Sequence, residues 1–293
     1  MMIKNYLKLI RIPQWIKNFF VFVPLLFSQH LFDSDYFLTV STGFLAFCFT
    51  TSAVYIFNDI VDVDADRAHP VKKLRPIASG KISKLSAIIF AIILFIIVLI
   101  LTTFFNLSFT ISLAIYFILN VFYSTTLKHI VLLDIFSIAA GFLIRVIAGA
   151  LIINVEISSW LLLTTMFISL FLAVMKRQSE LRLVAEDETA ATRKVLSNYS
   201  LDFTSQMATI AASAVIICYA LYTVSSRTVS IFGTEKLIYT TPFVVFGIFR
   251  YMFLVYLNKK GENTTEIMIT DLPMIFTVLL YILTTTLIIY KII

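Results

Sequence analysis

The residues best suited to chemistry lie in one run, "NDIVDVDADRAHPVKKLRPIASG" (58–80), in which Asp59, Asp62, Asp64 and Asp66 precede Lys72, Lys73, Arg75 and Lys81. On a helix, Asn58, Asp59, Asp62 and Asp66 fall within about a 100° arc, while Asp64 points to the other side. Such a face offers hard oxygen ligands suited to Mg²⁺, an ion normally held by one or two carboxylates together with substrate phosphates. Asn58, Asp59, Asp62 and Asp66 are therefore the candidate metal ligands, and the three aspartates the candidate catalytic residues. A solvated helix end would also carry charge, but uncompensated carboxylates where an apolar segment leaves a membrane are costly and point to function. Pro70 is expected to end the helix. Beyond it, Lys72 and Arg75 set cations beside the carboxylates, which suits a phosphate-rich ligand; a guanidinium can grip phosphate at two points. His69 reads first as a cap or a packed side chain.

Two further stretches carry charge among apolar residues. In "YSTTLKHIVLLDIFSIAAGFLIRVIAGA" (123–150), Asp134, Ile138, Gly141 and Arg145 follow one helical stripe, with Ser137 and Gly149 close by. This small, polar face looks onto a cavity or another helix. Arg145 lies 11 residues past Asp134, about 16 Å along the axis. At that depth its guanidinium needs either a bound ligand or an internal acid as partner. In "MKRQSEL", Lys176, Arg177 and Glu180 share about a 100° arc. Two cations and one carboxylate again suit a phosphate, although side chains snorkelling from a membrane end would look the same.

The elements that must position these groups are apolar. Of 293 residues 60% are hydrophobic and 14% charged, and the mean hydropathy is +0.96, which marks an integral membrane protein. Runs long enough to cross a bilayer, about 20 residues each, occur near 14–30, 36–57, 84–105, 107–124, 133–153, 159–176, 203–225, 238–257 and 271–290. Their uniform apolarity predicts helices, since barrel strands would alternate. The expectation is an all-α, polytopic protein of nine transmembrane helices. The basic start "MMIKNYLKLIRIPQWIKNFF" shows no cleavage site and is read as a retained first span. With the N-terminus inside, eighteen of the 23 basic residues fall on the inner side. The loops 58–84, 124–133 and 176–202 then share the cytoplasmic face of a cell membrane; this bias by itself accounts for Lys84 and for Lys73. The net charge of +6 does not require nucleic acid. Cys48 and Cys218 sit in apolar runs and read as small buried side chains.

These residues resemble the UbiA superfamily of intramembrane prenyltransferases. "NDIVDVDAD" looks like its first Asp-rich motif, NDxxDxxxD, and "YSTTLK" resembles the segment that brings a Tyr and a Lys to the site, here Tyr123 and Lys128. The resemblance covers essentially the whole chain and implies one UbiA-like transmembrane domain over 1–293, with helices around a central cavity and Mg²⁺ as cofactor. One departure is informative. Where such proteins carry a second acidic motif after the sixth span, this chain reads "MKRQSELRLVAEDE". With the basic loops, that departure resembles the branch exemplified by decaprenyl-phosphate phosphoribosyltransferases. The branch transfers 5-phosphoribose from phosphoribosyl diphosphate to a polyprenyl phosphate, releasing diphosphate.

The chemistry is consistent with that switch. Both reactions expel a metal-bound diphosphate from a carbon that becomes cationic. Phosphoribosyl transfer brings two more phosphates, which Lys72, Arg75, Lys128, Arg145, Lys176 and Arg177 could receive. A lipid phosphate is already an anion, so no general base is needed, and catalysis would rest on positioning and metal stabilisation of the leaving charge. The competing enzyme reading is isoprenyl transfer to an aromatic or other acceptor, with Glu180, Glu186 and Asp187 as an irregular second metal site. A transporter would instead line a path across the membrane with charge, whereas these charges lie on one side.

Overall fold

A computed structural model describes residues 2–69, 71–186, 194–257 and 270–292. Among them there is no β-strand. Among the described residues, eight helices are long and apolar enough to cross a membrane, or nine if one bent pair is counted as a span. The protein is thus an all-α, multi-pass membrane protein.

The bent pair is the first span, and here the structure departs from the single run expected over 14–30. Helix α1 (Met2–Leu9) ends two residues before Arg11, whose φ of 53° is left-handed, and a 3₁₀ segment Ile12–Phe22 follows, leading into α2 (Val23–Phe27). The two halves meet at 46°. The cause is local: Pro13 has no N–H to donate and disfavours helical backbone at Ile12, so the chain must turn before it.

The chain divides into two compact units. The first comprises residues 1–25, 33–137 and 144–155. Its centre is α3 (Ser34–Val61), whose start is capped by the Asp33 carboxylate accepting from the Asp35 and Tyr36 amides. Packed on α3 are the 3₁₀ segment, α5 (Lys84–Thr102) and α6 (Leu107–Thr125). Phe47 meets Phe109 and Tyr116 edge to face, at 5.9 and 5.4 Å between ring centres. Helix α5 has a mean hydropathy of 3.3 with little of it buried. Its exposed Ile and Leu side chains are those of a helix facing lipid. Asn106 caps α6 by accepting from Phe109 N and also donates to Leu151 O at 2.6 Å, tying α6 to the end of α7 (Leu133–Ile152).

The second unit comprises residues 26–32, 138–143 and 156–293. Its main elements are α8 (Ser159–Glu186), α9 (Leu201–Val224), α10 (Ser226–Phe232), α11 (Thr241–Tyr256) and α12 (Leu272–Ile289). Helix α8 packs along α9, and Phe171 meets Tyr251 edge to face. Arg250, a cation inside α11, is neutralised by Asp271, the N-cap of α12, through two hydrogen bonds of 3.1 and 2.8 Å.

Candidate active site

The Asp-rich face is not one continuous helix. Helix α3 ends at Val61, Asp62 leaves helical geometry (φ −90°, ψ 9°), and a short α4 (Val63–Ala68) carries Asp66. The expectation for the side chains survives that bend. Asp59 and Asp66 are buried, Asp62 is half-buried, and Asp64 projects into the open with only Arg67 at 3.3 Å. His69 follows α4 in extended geometry, as a residue before proline should. Pro70, expected to stop the helix, lies outside the described residues. The His69 ring caps the next turn, Nδ1 accepting from the amides of Val71 and Lys72 at 3.2 and 3.3 Å.

The basic loop folds back because two of its apolar residues are anchored. Ile77 and Ile82 sit in the same buried cluster as Leu9, Ile56 and Leu94. Gly80 makes the turn between them at φ 74°, which a side-chain-bearing residue rarely adopts. The anchored loop aims Arg75 at the carboxylates. Its Nη1 donates to Asp59 Oδ1 at 3.1 Å and to Asp66 Oδ2 at 2.7 Å. Lys72, half-buried, and the exposed Lys73 flank this point.

Arg11, at the break in the first span, also reaches Asp59, and its guanidinium lies over the Tyr55 ring, 4.7 Å from the ring centre. On the other side of the bend, Lys128 donates to both oxygens of Asp62. A 3₁₀ turn after α6 (Leu127–His129) delivers it, with Tyr123 half-buried in the last turn of α6. Asn58 is half-buried and its carbonyl accepts from Asp62 N at 2.9 Å, which helps hold the bend.

Asp134 is fully buried in the first turn of α7, where the helix dipole favours a carboxylate. Arg145 is buried on the same helix and held by neutral groups: Nε donates to Asn18 Oδ1 at 2.7 Å, Nη2 to the Tyr116 hydroxyl at 2.6 Å, and the guanidinium stacks 4.5 Å above the Tyr116 ring. In the second unit, Arg177 is fully buried and paired with Glu180, beside a half-buried Lys176. Asp187 lies outside the described residues.

The first unit therefore brings together Asp59, Asp66 and Arg75, and joins Asp62 to Lys128. No group of three or more metal-ligating side chains lies together among the described residues. The donor chemistry nevertheless fits Mg²⁺: two buried carboxylates converge on one cationic nitrogen, and a third is close in sequence. Sequence reasoning missed Arg11, Asn18 and Tyr116. The signal was present, because a supposed first span containing Arg11, Gln14, Lys17 and Asn18 around Pro13 is too polar to be a plain lipid-facing helix.

Comparison with known proteins agrees with this architecture. The family model for UbiA, the UbiA prenyltransferase family, matches residues 19–289. The decaprenyl-phosphate phosphoribosyltransferase of Mycolicibacterium smegmatis is 37% identical over 228 residues, 76% of this chain and 71% of that protein. The Mycobacterium tuberculosis protein of the same name is 33% identical over 265 residues, 89% and 86% of the two chains. Among solved structures, a UbiA homolog from Archaeoglobus fulgidus bound to GPP and Mg²⁺ superposes with a TM-score of 0.71 at 18% identity, covering 98% and 99% of the chains. By family match and by identity to its relatives, this chain belongs to the UbiA prenyltransferase family.

Proposed function

We propose that this chain is a polyprenyl-phosphate phosphoribosyltransferase, moving 5-phosphoribose from phosphoribosyl diphosphate to a polyprenyl phosphate and releasing diphosphate. The observation that carries the reading is the ratio of charge at the Asp-rich bend: each of Asp59, Asp62 and Asp66 is engaged by a cation, Arg11 and Arg75 among them. Two relatives named as decaprenyl-phosphate phosphoribosyltransferases, at 37% and 33% identity, support it.

Asp59, Asp62 and Asp66, with Asn58, would hold Mg²⁺, and the magnesium-bound homolog of the same fold supports that assignment. When bound, the ion would neutralise the diphosphate that leaves C1 of the ribose. The chain's own residues do the rest. Arg75 bridges Asp59 and Asp66 and would bind donor phosphate beside the carboxylates that would hold the ion. Lys72 and Lys128 add charge around the same anion. The bond from C1 to the diphosphate oxygen breaks, the ribosyl carbon becomes cationic, and an oxygen of the lipid phosphate closes on it. That oxygen carries no proton to remove, so positioning is the main task. Arg145 and, in the second unit, Lys176, Arg177 and Glu180 are assigned to the remaining phosphates. Pairing of Glu180 with Arg177 argues against Glu180 as a metal ligand for isoprenyl transfer. The excess of basic residues in these loops supports a cytoplasmic donor side.

The deciding experiment incubates purified protein with labelled phosphoribosyl diphosphate and a series of polyprenyl phosphates, beside isoprenyl diphosphate with aromatic acceptors. Magnesium-dependent label in the lipid supports the proposal; isoprenyl transfer alone overturns it.

A further inference from the structure

At the surface of the first unit a cavity of about 340 Å³ opens between α1 and α5, lined by Tyr6, Ser86, Ile89, Phe90 and Ile93. Tyr6 and Phe90 meet edge to face, their ring centres 4.9 Å apart. The four α5 residues stand at i, i+3, i+4 and i+7, so they form one stripe about 10 Å long. That stripe is graded. Ser86 lies in the first turn of α5, where the Ser83 hydroxyl donates to its Oγ at 2.8 Å, and the residues after it are aromatic or branched aliphatic. Because α5 begins at Lys84 and is apolar from there on, the hydroxyl end of the stripe belongs to the membrane surface and the other end to the bilayer. Exposed Lys81 and Lys84 precede Ser86, and exposed Lys4 and Lys8 flank Tyr6 along α1. Among the described residues no hydrogen bond or ion pair engages any of these four side chains.

We infer that this groove binds an anionic phospholipid of the surrounding bilayer, its phosphate at Ser86 and the lysines and one acyl chain over Ile89, Phe90 and Ile93. Apolar contact alone selects little here, since lipid tails are as apolar as the groove. Preference must come from the headgroup, where unpaired lysines at the membrane surface attract negative charge. The site selects charge, and the groove fixes where the chain lies. Tyr6 and Phe90 also pack against the buried cluster that holds Ile77 and Ile82, the two anchors of the loop that carries Arg75. A bound lipid therefore braces that anchor, and stability should rise with it. The inference stands whatever reaction the chain performs.

The test titrates the full-length protein in detergent with phosphatidylglycerol, or with phosphatidylcholine of the same acyl chains, and reads native mass spectra and thermal melts. Phosphatidylglycerol should bind and raise the melting temperature, and phosphatidylcholine should bind at least about fivefold more weakly. Lys81→Gln combined with Lys84→Gln should weaken phosphatidylglycerol binding about 25-fold, at about fivefold per lysine. The lipid-free melt should not change, because both side chains are exposed. Lys73→Gln, at an exposed lysine outside the groove lining, should leave the affinity as it is. Ile93→Trp fills the apolar end while keeping every charge, and should abolish the lipid-dependent rise in melting temperature. Equal affinity for the two lipids, equal loss in Lys73→Gln, or an undiminished rise in Ile93→Trp would each overturn the site. So would displacement of phosphatidylglycerol by an equal or lower concentration of a polyprenyl phosphate, which would assign the groove to that lipid instead.

Discussion

The ammonium of Lys128 lies 2.8 and 3.0 Å from the two carboxylate oxygens of Asp62, joining residues 66 positions apart. Lys128 is buried and Asp62 half-buried, so the pair is shielded from water on one side. A double-mutant cycle with Asp62→Asn and Lys128→Met, read by denaturation in detergent, should give a coupling of about 0.5–3 kcal/mol. Additive losses would show that the contact does not hold the bend.

Asp59→Asn and Asp66→Asn should each lower turnover by at least about 100-fold, since each removes a ligand charge while keeping shape. Asp62→Asn should do the same. Asp64→Asn should stay within a few-fold of the parent, because its side chain is exposed and meets only Arg67. Excess chelator should abolish transfer and added Mg²⁺ restore it. Equal loss at all four aspartates would defeat the assignment of Asp64 to the outer side.

Arg145 is the basic residue least explained by topology. Arg145→Lys keeps the charge but cannot serve Asn18 Oδ1 and the Tyr116 hydroxyl with one planar group, so substrate affinity should fall in Arg145→Lys as well as in Arg145→Ala. Arg145→Ala should also lose about 1–3 kcal/mol of stability for each buried partner left unsatisfied. Thermal melts and Michaelis constants for both substrates, measured on the same preparations, separate the two effects. A stable Arg145→Ala enzyme with parental constants would exclude either role.

Gly149 marks the closest approach of α7 to the first span: a Cβ there would collide with the Val21 carbonyl oxygen, which is backbone and cannot swing away. Gly149→Ala should therefore cost about 1–3 kcal/mol. Because Val21 belongs to the segment that carries Asn18, substrate affinity should drop with stability. A fully stable, fully active Gly149→Ala protein would show that this contact is not tight.

Ser79 is exposed in the basic loop, and both native cysteines are buried. A Ser79→Cys protein should react with an impermeant thiol reagent in inside-out vesicles and stay unlabelled in sealed right-side-out membranes. Labelling from outside would reverse the proposed orientation.

The apolar runs, the membrane class, the outward turn of Asp64 and the crowding of cations near the aspartates were all legible in the amino-acid sequence. These are one-dimensional properties: run length sets what can cross a bilayer, and helical period sets which neighbours share a face. Local backbone chemistry also foretold a helix end at Pro70, and α4 stops at Ala68; the break at Pro13 was not foretold, the stretch being read as one continuous span. What the tertiary structure decided is which charges meet. Arg11 reaches Asp59 across 48 positions, Arg145 reaches Asn18 across 127, and Lys128 finds Asp62 rather than a phosphate loop of its own. None of these pairings follows from spacing, because each depends on how separate helices pack and on the anchoring of Ile77 and Ile82 that turns Arg75 inward.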